Sequence, residues 1–140
     1  MKRIWVGKYG YLYDDAETEY FPFEINVTLE KGSFEGTVYE EEFSRTTGDL
    51  IAIKGFIDDD FISFVKTFPY GYWKDENNNV IIDENISGHE VIYQGYFDQK
   101  KGVWSGEWEI EIEREIINDN NYNVQIMVGV WEMKAKTDII

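Results

Sequence analysis

Seven side chains in this sequence have types and positions that would suit a site for a small molecule. They are Tyr9, Tyr11, Tyr70, Trp73, His89, Tyr93 and Trp108. Tyr9, Tyr11 and Tyr93 fall on the inward side of predicted strands, and a buried tyrosine hydroxyl needs a hydrogen-bond partner. The inward tyrosines therefore predict either a polar cluster or a wet pocket, and we assign the seven residues a ligand-binding role.

The ionisable residues do not define a catalytic centre. His89 is the single histidine, and no nucleophile and orienting acid stand at a spacing that would make it part of a triad. A position at a rim or turn is the favoured interpretation of His89. Lys66 would suit the carboxylate of a ligand if it faced inward, but an outward, solvated lysine is favoured.

No metal or cofactor is predicted. The run from Asp75 to Asn79 imitates the first ligands of a calcium loop, but Val80 and Ile86 stand where glycine and glutamate are needed. Asp58 to Asp60 is favoured as a plain hairpin tip. The chain has no cysteine, which excludes disulfides and thiolate metal sites.

Composition limits the partners and the location. The 140 residues fit one domain, 1–140, with a formal charge of -15 from 28 acidic and 13 basic residues. Nucleic acid and anionic membranes both require basic patches, so neither is an expected partner. No apolar run follows the N-terminal Met-Lys-Arg-Ile-Trp, so no signal peptide or membrane span is predicted and a cytoplasmic location is expected.

The clearest strand runs from Val103 to Glu113. From Trp104 to Ile112 every second residue is apolar or glycine, which is the period of a strand with one buried face. A turn centred on Lys100-Lys101 pairs this strand with His89 to Phe97. The predicted pairs are Phe97 with Trp104, Gly95 with Gly106, Tyr93 with Trp108, Val91 with Ile110 and His89 with Ile112.

Two further hairpins are predicted. A turn at Lys31-Gly32 sets Leu29 against Phe34, Val27 against Gly36 and Ile25 against Val38. Strict alternation would then turn Glu40 and Glu42 inward at the barrel mouth; a bulge or strand end that resets the alternation is favoured, followed by a loop over 44–48. In the hairpin of 50–57 and 61–68 the register is open: a two-residue turn puts Lys66 on the side of Ile53, and a three-residue turn puts it on the other.

About eight strands joined mostly by short loops predict an all-β, antiparallel, up-and-down barrel that closes its first strand against its last. Glycines 7, 36, 95, 106 and 129 would let rings lie across neighbouring strands. The many inward rings leave two interpretations open, a filled core and a small internal pocket. Phe68 to Trp73 is either a lid beside the barrel mouth or a loop packed on its own barrel.

Short motifs give this chain a resemblance to a known group of barrels. Trp-Ser-Gly at 104–106 also occurs in a strand of streptavidin-like proteins, and Gly-x-Trp, the first-strand signature of lipocalins, occurs at 106–108 and 129–131. The chain thus resembles the calycins, which include lipocalins, fatty-acid-binding proteins and avidins. The resemblance implies a small closed barrel over most of the chain. Both Gly-x-Trp copies lie in late strands, and the polar residues that avidins use to hold biotin have no matching positions in this chain. The resemblance therefore carries no ligand and no site residue across.

These observations favour non-catalytic binding of a small, partly apolar or aromatic ligand at one barrel end. The alternative is an acidic protein-interaction module with a filled core, able to form a homo-oligomer through outward residues such as Val128 and Val130. A third hypothesis is a calycin-like enzyme that uses tyrosine and carboxylate acid–base chemistry. No residue set requires catalysis, so binding is favoured over an enzyme.

Overall fold

The structure is a computed structural model that describes residues 1–11, 19–74, 76–77, 79–118 and 121–136; for residues 73, 74, 80, 112–118 and 121–125 only the backbone is described. Eight strands form a closed antiparallel barrel, as predicted. They are β1 (Lys2–Tyr11), β2 (Tyr20–Glu30), β3 (Ser33–Glu40), β4 (Ile51–Asp58), β5 (Phe61–Thr67), β8 (Glu90–Asp98), β9 (Val103–Asn118) and β10 (Asn121–Ala135). A separate hairpin of β6 (Gly71–Lys74) and β7 (Val80–Asp83) is inserted between β5 and β8, and a short helix, α1 (Glu41–Thr47), links β3 to β4.

The barrel is a meander in which each strand pairs with its neighbour along the chain, apart from the inserted hairpin. The first and last strands close it, from Trp5 opposite Ala135 to Tyr11 opposite Gly129. This confirms the predicted closure, which removes the exposed sheet edges. No helix among the described residues is long and apolar enough to cross a membrane.

The registers predicted for two hairpins are confirmed. In β2 and β3, Leu29, Val27 and Ile25 lie opposite Phe34, Gly36 and Val38. In β8 and β9 the four pairs from Phe97–Trp104 to Val91–Ile110 are as expected, whereas His89 lies just before β8 and outside the ladder.

The hairpin of β4 and β5 takes the two-residue turn. Asp58 lies opposite Phe61, Ile57 opposite Ile62, and Ile53 opposite Lys66. Asp59 adopts a left-handed backbone conformation in this turn, with φ of 57°. The register turns Lys66 inward, where its side chain is fully buried. The prediction of a solvated lysine is therefore wrong.

The segment after β3 is a helix, so the prediction of a loop over 44–48 is wrong. The helix ends at Gly48, which has φ of 80° and donates its N–H to the carbonyl of Ser44 at 2.8 Å. The strand ends at Glu40, as favoured, but Glu40 keeps its inward orientation opposite Phe23 and is 4% exposed. With so few residues, the helix shows no apolar period that the sequence could reveal.

Large rings fill one half of the barrel. Trp5 packs edge-on against Phe34 at 5.3 Å between ring centroids, and Phe64 packs edge-on against Trp131 at 5.4 Å. Trp131 also crosses Gly95, where a Cβ atom would lie 2.8 Å from its ring, as the interleaved glycines predicted. The half around Tyr9 and Tyr93 is different, because it contains a cavity. The core is thus filled at one end and hollow at the other.

Candidate functional site

A cavity of about 370 Å³ occupies the end of the barrel at which β1 and β3 terminate. Its walls are mainly aromatic and aliphatic, with two glutamates and one histidine among them. The lining residues are Tyr9, Tyr11, Glu40, Glu42, Phe43, Phe68, Tyr72, His89, Val91, Tyr93, Trp108, Ile110 and Met127. A cavity of this size suits a molecule of one or two rings.

Three rings from β1 and β9, the two strands that flank β10, form an aromatic corner in this cavity. Tyr11 packs edge-on against Trp108 at 5.2 Å, and Tyr9 contacts Trp108 at 6.3 Å and Tyr11 at 6.1 Å. The indole Nε1 of Trp108 donates to the carbonyl of Gly10 at 3.1 Å, which fixes the ring. The ring also crosses Gly129, where a Cβ atom would lie 2.2 Å from the indole. The corner therefore presents aromatic surfaces to the cavity, and the contacts with Gly10 and Gly129 hold the Trp108 ring in place.

Helix α1 and the aromatic stretch after β5, residues 68–72, cover the cavity together. The ring of Phe43, on α1, contacts Phe68 at 5.0 Å and Tyr72 at 5.0 Å, both edge-on. Phe43, Phe68 and Tyr72 all line the cavity. The stretch predicted as a lid or a packed loop thus has both features, since its rings pack on α1 and also face the cavity.

Tyr70 lies in the same stretch but does not line the cavity. Its hydroxyl donates to Asp49 Oδ2 at 2.6 Å, and this hydrogen bond raises the pKa of Tyr70. Its ring packs beside Phe43 at 5.8 Å. Tyr70 therefore stabilises the stretch after β5 through contacts made outside the cavity.

A buried polar cluster lies at the floor of the cavity. Lys66 Nζ donates to Glu40 Oε2 at 2.6 Å and to the Tyr93 hydroxyl at 2.8 Å. The Tyr9 hydroxyl donates to Glu40 Oε1 at 3.4 Å. Glu40, Tyr9 and Tyr93 face the cavity, whereas Lys66 lies behind them, with its Nζ 4.5 Å from the centre of the Phe23 ring. The inward tyrosines do form the polar cluster that buried hydroxyls require.

Burial controls the protonation of this cluster. Desolvation raises the pKa of Tyr9 and of Tyr93 well above 10.0, and the nearby Glu40 carboxylate raises both further. Desolvation also lowers the pKa of Lys66 from 10.5, against the opposing effect of the Glu40 charge. At neutral pH both hydroxyls keep their protons, so they can donate hydrogen bonds but cannot act as bases.

The cavity brings together five of the seven residues singled out from the sequence: Tyr9, Tyr11, His89, Tyr93 and Trp108. Tyr70 stands apart, and the side chain of Trp73 lies outside the described residues. His89 is exposed at the rim, as expected. Glu40, Glu42 and Phe43 were not among the assigned site residues; strict alternation turns Glu40 and Glu42 inward, but Phe43 had no signal because it lies on the unforeseen helix.

The described part of the chain contains no group of three or more histidine, aspartate or glutamate side chains placed to hold a metal ion. Comparison with protein-family models, with curated proteins and with solved structures found no significant match. The barrel architecture therefore stands on the structure itself, and the resemblance to calycins stays an expectation from short motifs.

Proposed function

We propose that this protein is a non-catalytic barrel protein that binds a small, partly apolar ligand at one end of the barrel. The observation that carries the proposal is the cavity of about 370 Å³, walled by tyrosine and tryptophan rings and covered by α1 and the stretch after β5. Ligand sites are typically concave, mostly apolar and provided with a few convergent polar groups. Glu40, Tyr93 and His89 supply those groups here.

Binding is favoured over acid–base catalysis by the state of the polar cluster. Tyr9 and Glu40 lie near enough to form a tyrosine–carboxylate pair, which an enzyme of this kind would need. The raised pKa of Tyr9 opposes its use in proton transfer near neutral pH, since efficient acids and bases titrate near the working pH. The cluster is therefore better suited to holding a ligand than to transforming one.

We expect the neutral aromatic probes indole and 2-naphthol to bind once per chain inside the cavity. Met127 lines the cavity, so Met127→Trp should fill its mouth and weaken binding at least tenfold. Val128 follows it on the same strand and is 45% exposed on the outer surface, so Val128→Trp is the matched control and should bind normally. Isothermal titration and saturation-transfer NMR measure both. Absence of binding, or equal binding by the two variants, would overturn the proposal.

A second candidate function, a protein-interaction module, is favoured by an aromatic strip on the outside of the barrel. Phe61 contacts Phe56 at 6.0 Å and Tyr96 at 5.4 Å between ring centroids, and Tyr96 is 62% exposed. Val128 and Tyr96 both line one shallow depression on the outer face of the barrel. An exposed apolar strip of this kind suits contact with a second copy of the chain.

If this strip joins two copies, light scattering should detect a dimer that strengthens with salt, because salt screens the repulsion between chains of charge -15. Tyr96→Glu should abolish the dimer. Tyr39→Glu is the control, since Tyr39 is 43% exposed and lies outside the strip. A monomer at every salt and protein concentration would exclude the homo-oligomer.

A further inference from the structure

We infer that the ligand of the cavity is a neutral carbonyl compound, whose carbonyl oxygen accepts a hydrogen bond from Tyr93 and whose body is apolar or aromatic. This inference rests on the proposed binding function and concerns the same cavity. It follows from the burial of the Tyr93 hydroxyl, from its contact with Lys66, and from the partners that the other polar groups of the cavity floor already have.

The Tyr93 hydroxyl is a buried donor at the floor of the cavity. Tyr93 lines the cavity and is 2% exposed. Its hydroxyl oxygen accepts a hydrogen bond from Lys66 Nζ at 2.8 Å, and among the residues that the structure describes nothing accepts its own proton. A hydroxyl has one proton and two lone pairs, so the bond from Lys66 leaves the proton available. A buried donor without an acceptor is costly, and a ligand oxygen in the cavity would supply the acceptor.

The surroundings of Tyr93 make it a strong and well-fixed donor. Because the Lys66 ammonium group draws electron density from the hydroxyl oxygen, it polarises the O–H bond of Tyr93 toward an acceptor. The Tyr93 ring stacks on Phe64 at 4.7 Å between centroids, and it packs edge-on against Trp131 at 5.7 Å. A side chain held in this way loses little further entropy when a ligand binds. Tyr93 is therefore suited to recognising a carbonyl oxygen.

Other donors in this part of the cavity already have acceptors. The Tyr9 hydroxyl donates to Glu40 Oε1 at 3.4 Å, and Trp108 Nε1 donates to a backbone carbonyl at 3.1 Å. Lys66 Nζ donates to Glu40 Oε2 at 2.6 Å as well as to Tyr93. Of these four side chains that donate, Tyr93 is thus the one that lines the cavity and has a proton to offer a ligand.

The position of Lys66 favours a neutral carbonyl over a carboxylate. Lys66 is fully buried, lies outside the cavity lining and pairs with Glu40. A carboxylate ligand would compete with Glu40 for this lysine and leave one of the two acids without it in a desolvated place, which is costly. A neutral carbonyl needs only the Tyr93 proton. The sequence suggested a carboxylate ligand for an inward Lys66, but the inward Lys66 instead pairs with Glu40.

The test uses three molecules with the same bicyclic body: 1-indanone, indane and indane-1-carboxylate. Tyr93→Phe removes the donor, so we expect it to weaken 1-indanone binding about tenfold and to leave indane binding unchanged. Tyr39→Phe is the matched control, since Tyr39 is 43% exposed on the outside of the barrel, and it should change neither. The carboxylate should bind more weakly than 1-indanone at pH 7. Isothermal titration with the full chain gives the dissociation constants, and Met127→Trp reports whether each molecule occupies the cavity.

A measurement on the unaltered protein keeps the test valid if Tyr93→Phe does not fold. The infrared carbonyl band of bound 1-indanone should lie at lower frequency than in hexane, and NMR should detect contacts between the Tyr93 ring protons and the methylene beside the carbonyl. A band at the hexane frequency, equal effects of Tyr93→Phe on ketone and indane, or a carboxylate that binds as tightly as the ketone would each overturn the carbonyl inference and leave the binding function standing. If none of the three molecules binds, the proposed function fails with it.

Discussion

Replacement of Lys66 by methionine is expected to lower the free energy of unfolding by about 3–5 kcal/mol, because it leaves the buried Glu40 carboxylate without its counter-ion. Glu40 is 4% exposed, and Lys66 Nζ is its ion-pair partner at 2.6 Å. Within the described part of the chain, its carboxylate also accepts a hydrogen bond from Tyr9 at 3.4 Å, which cannot replace a charge. Chemical denaturation followed by tryptophan fluorescence measures the change.

The double variant Glu40→Gln with Lys66→Met should recover most of this loss, since removal of both charges also removes the cost of their desolvation. Lys8→Met is the surface control: Lys8 pairs with Glu132 at 3.3 Å, but both side chains are nearly half exposed, and about 1 kcal/mol or less is expected. Equal losses for Lys66→Met and Lys8→Met would contradict the assignment. If Lys66→Met does not fold, folding of the double variant alone supports it.

We expect a second large effect at alkaline pH, where the protein should lose stability steeply above about pH 10. Tyr9 and Tyr93 have pKa values raised above 10.0 in the folded state, so they keep protons that the unfolded chain releases. The unfolded state then binds fewer protons, and stability falls with pH by about 1.4 kcal/mol per unit for each tyrosine. Lys66 acts in the opposite sense, but only below 10.5, because its folded pKa is lowered.

Unfolding free energies measured between pH 9 and pH 12, with tyrosinate absorbance followed in parallel, test this expectation. Tyr9→Phe and Tyr93→Phe should each reduce the alkaline slope, whatever they do to stability at pH 7. The exposed Tyr96→Phe is the control and should leave the slope unchanged. A slope that none of the three variants alters would show that the buried hydroxyls do not cause the alkaline loss.

The ion pair of Glu40 and Lys66 shows how much of the site could be predicted from the sequence. Strict alternation of β2 and β3 around Lys31-Gly32 turns Glu40 inward, and the structure places it there, opposite Phe23. The sequence interpretation nevertheless favoured a bulge or strand end that resets the alternation. An inward glutamate is costly without a partner. The partner is Lys66, which lies 26 residues further along the chain. Whether the Lys66 side chain points inward depends on the length of the turn at residues 58–60, which the sequence left open.

The sequence by itself determined the barrel, since alternation with a period of two and compatible turns specify the strands, their closure and the registers of the hairpins at Lys31-Gly32 and Lys100-Lys101. It also determined that tyrosines would meet inside the barrel. Only the tertiary structure decided which half is filled, because that depends on how rings such as Trp131 lie across glycines of other strands. Tertiary packing likewise placed α1 over the barrel end and joined Lys66 to Glu40. These contacts link distant segments, and the local pattern of one strand carries no information about them.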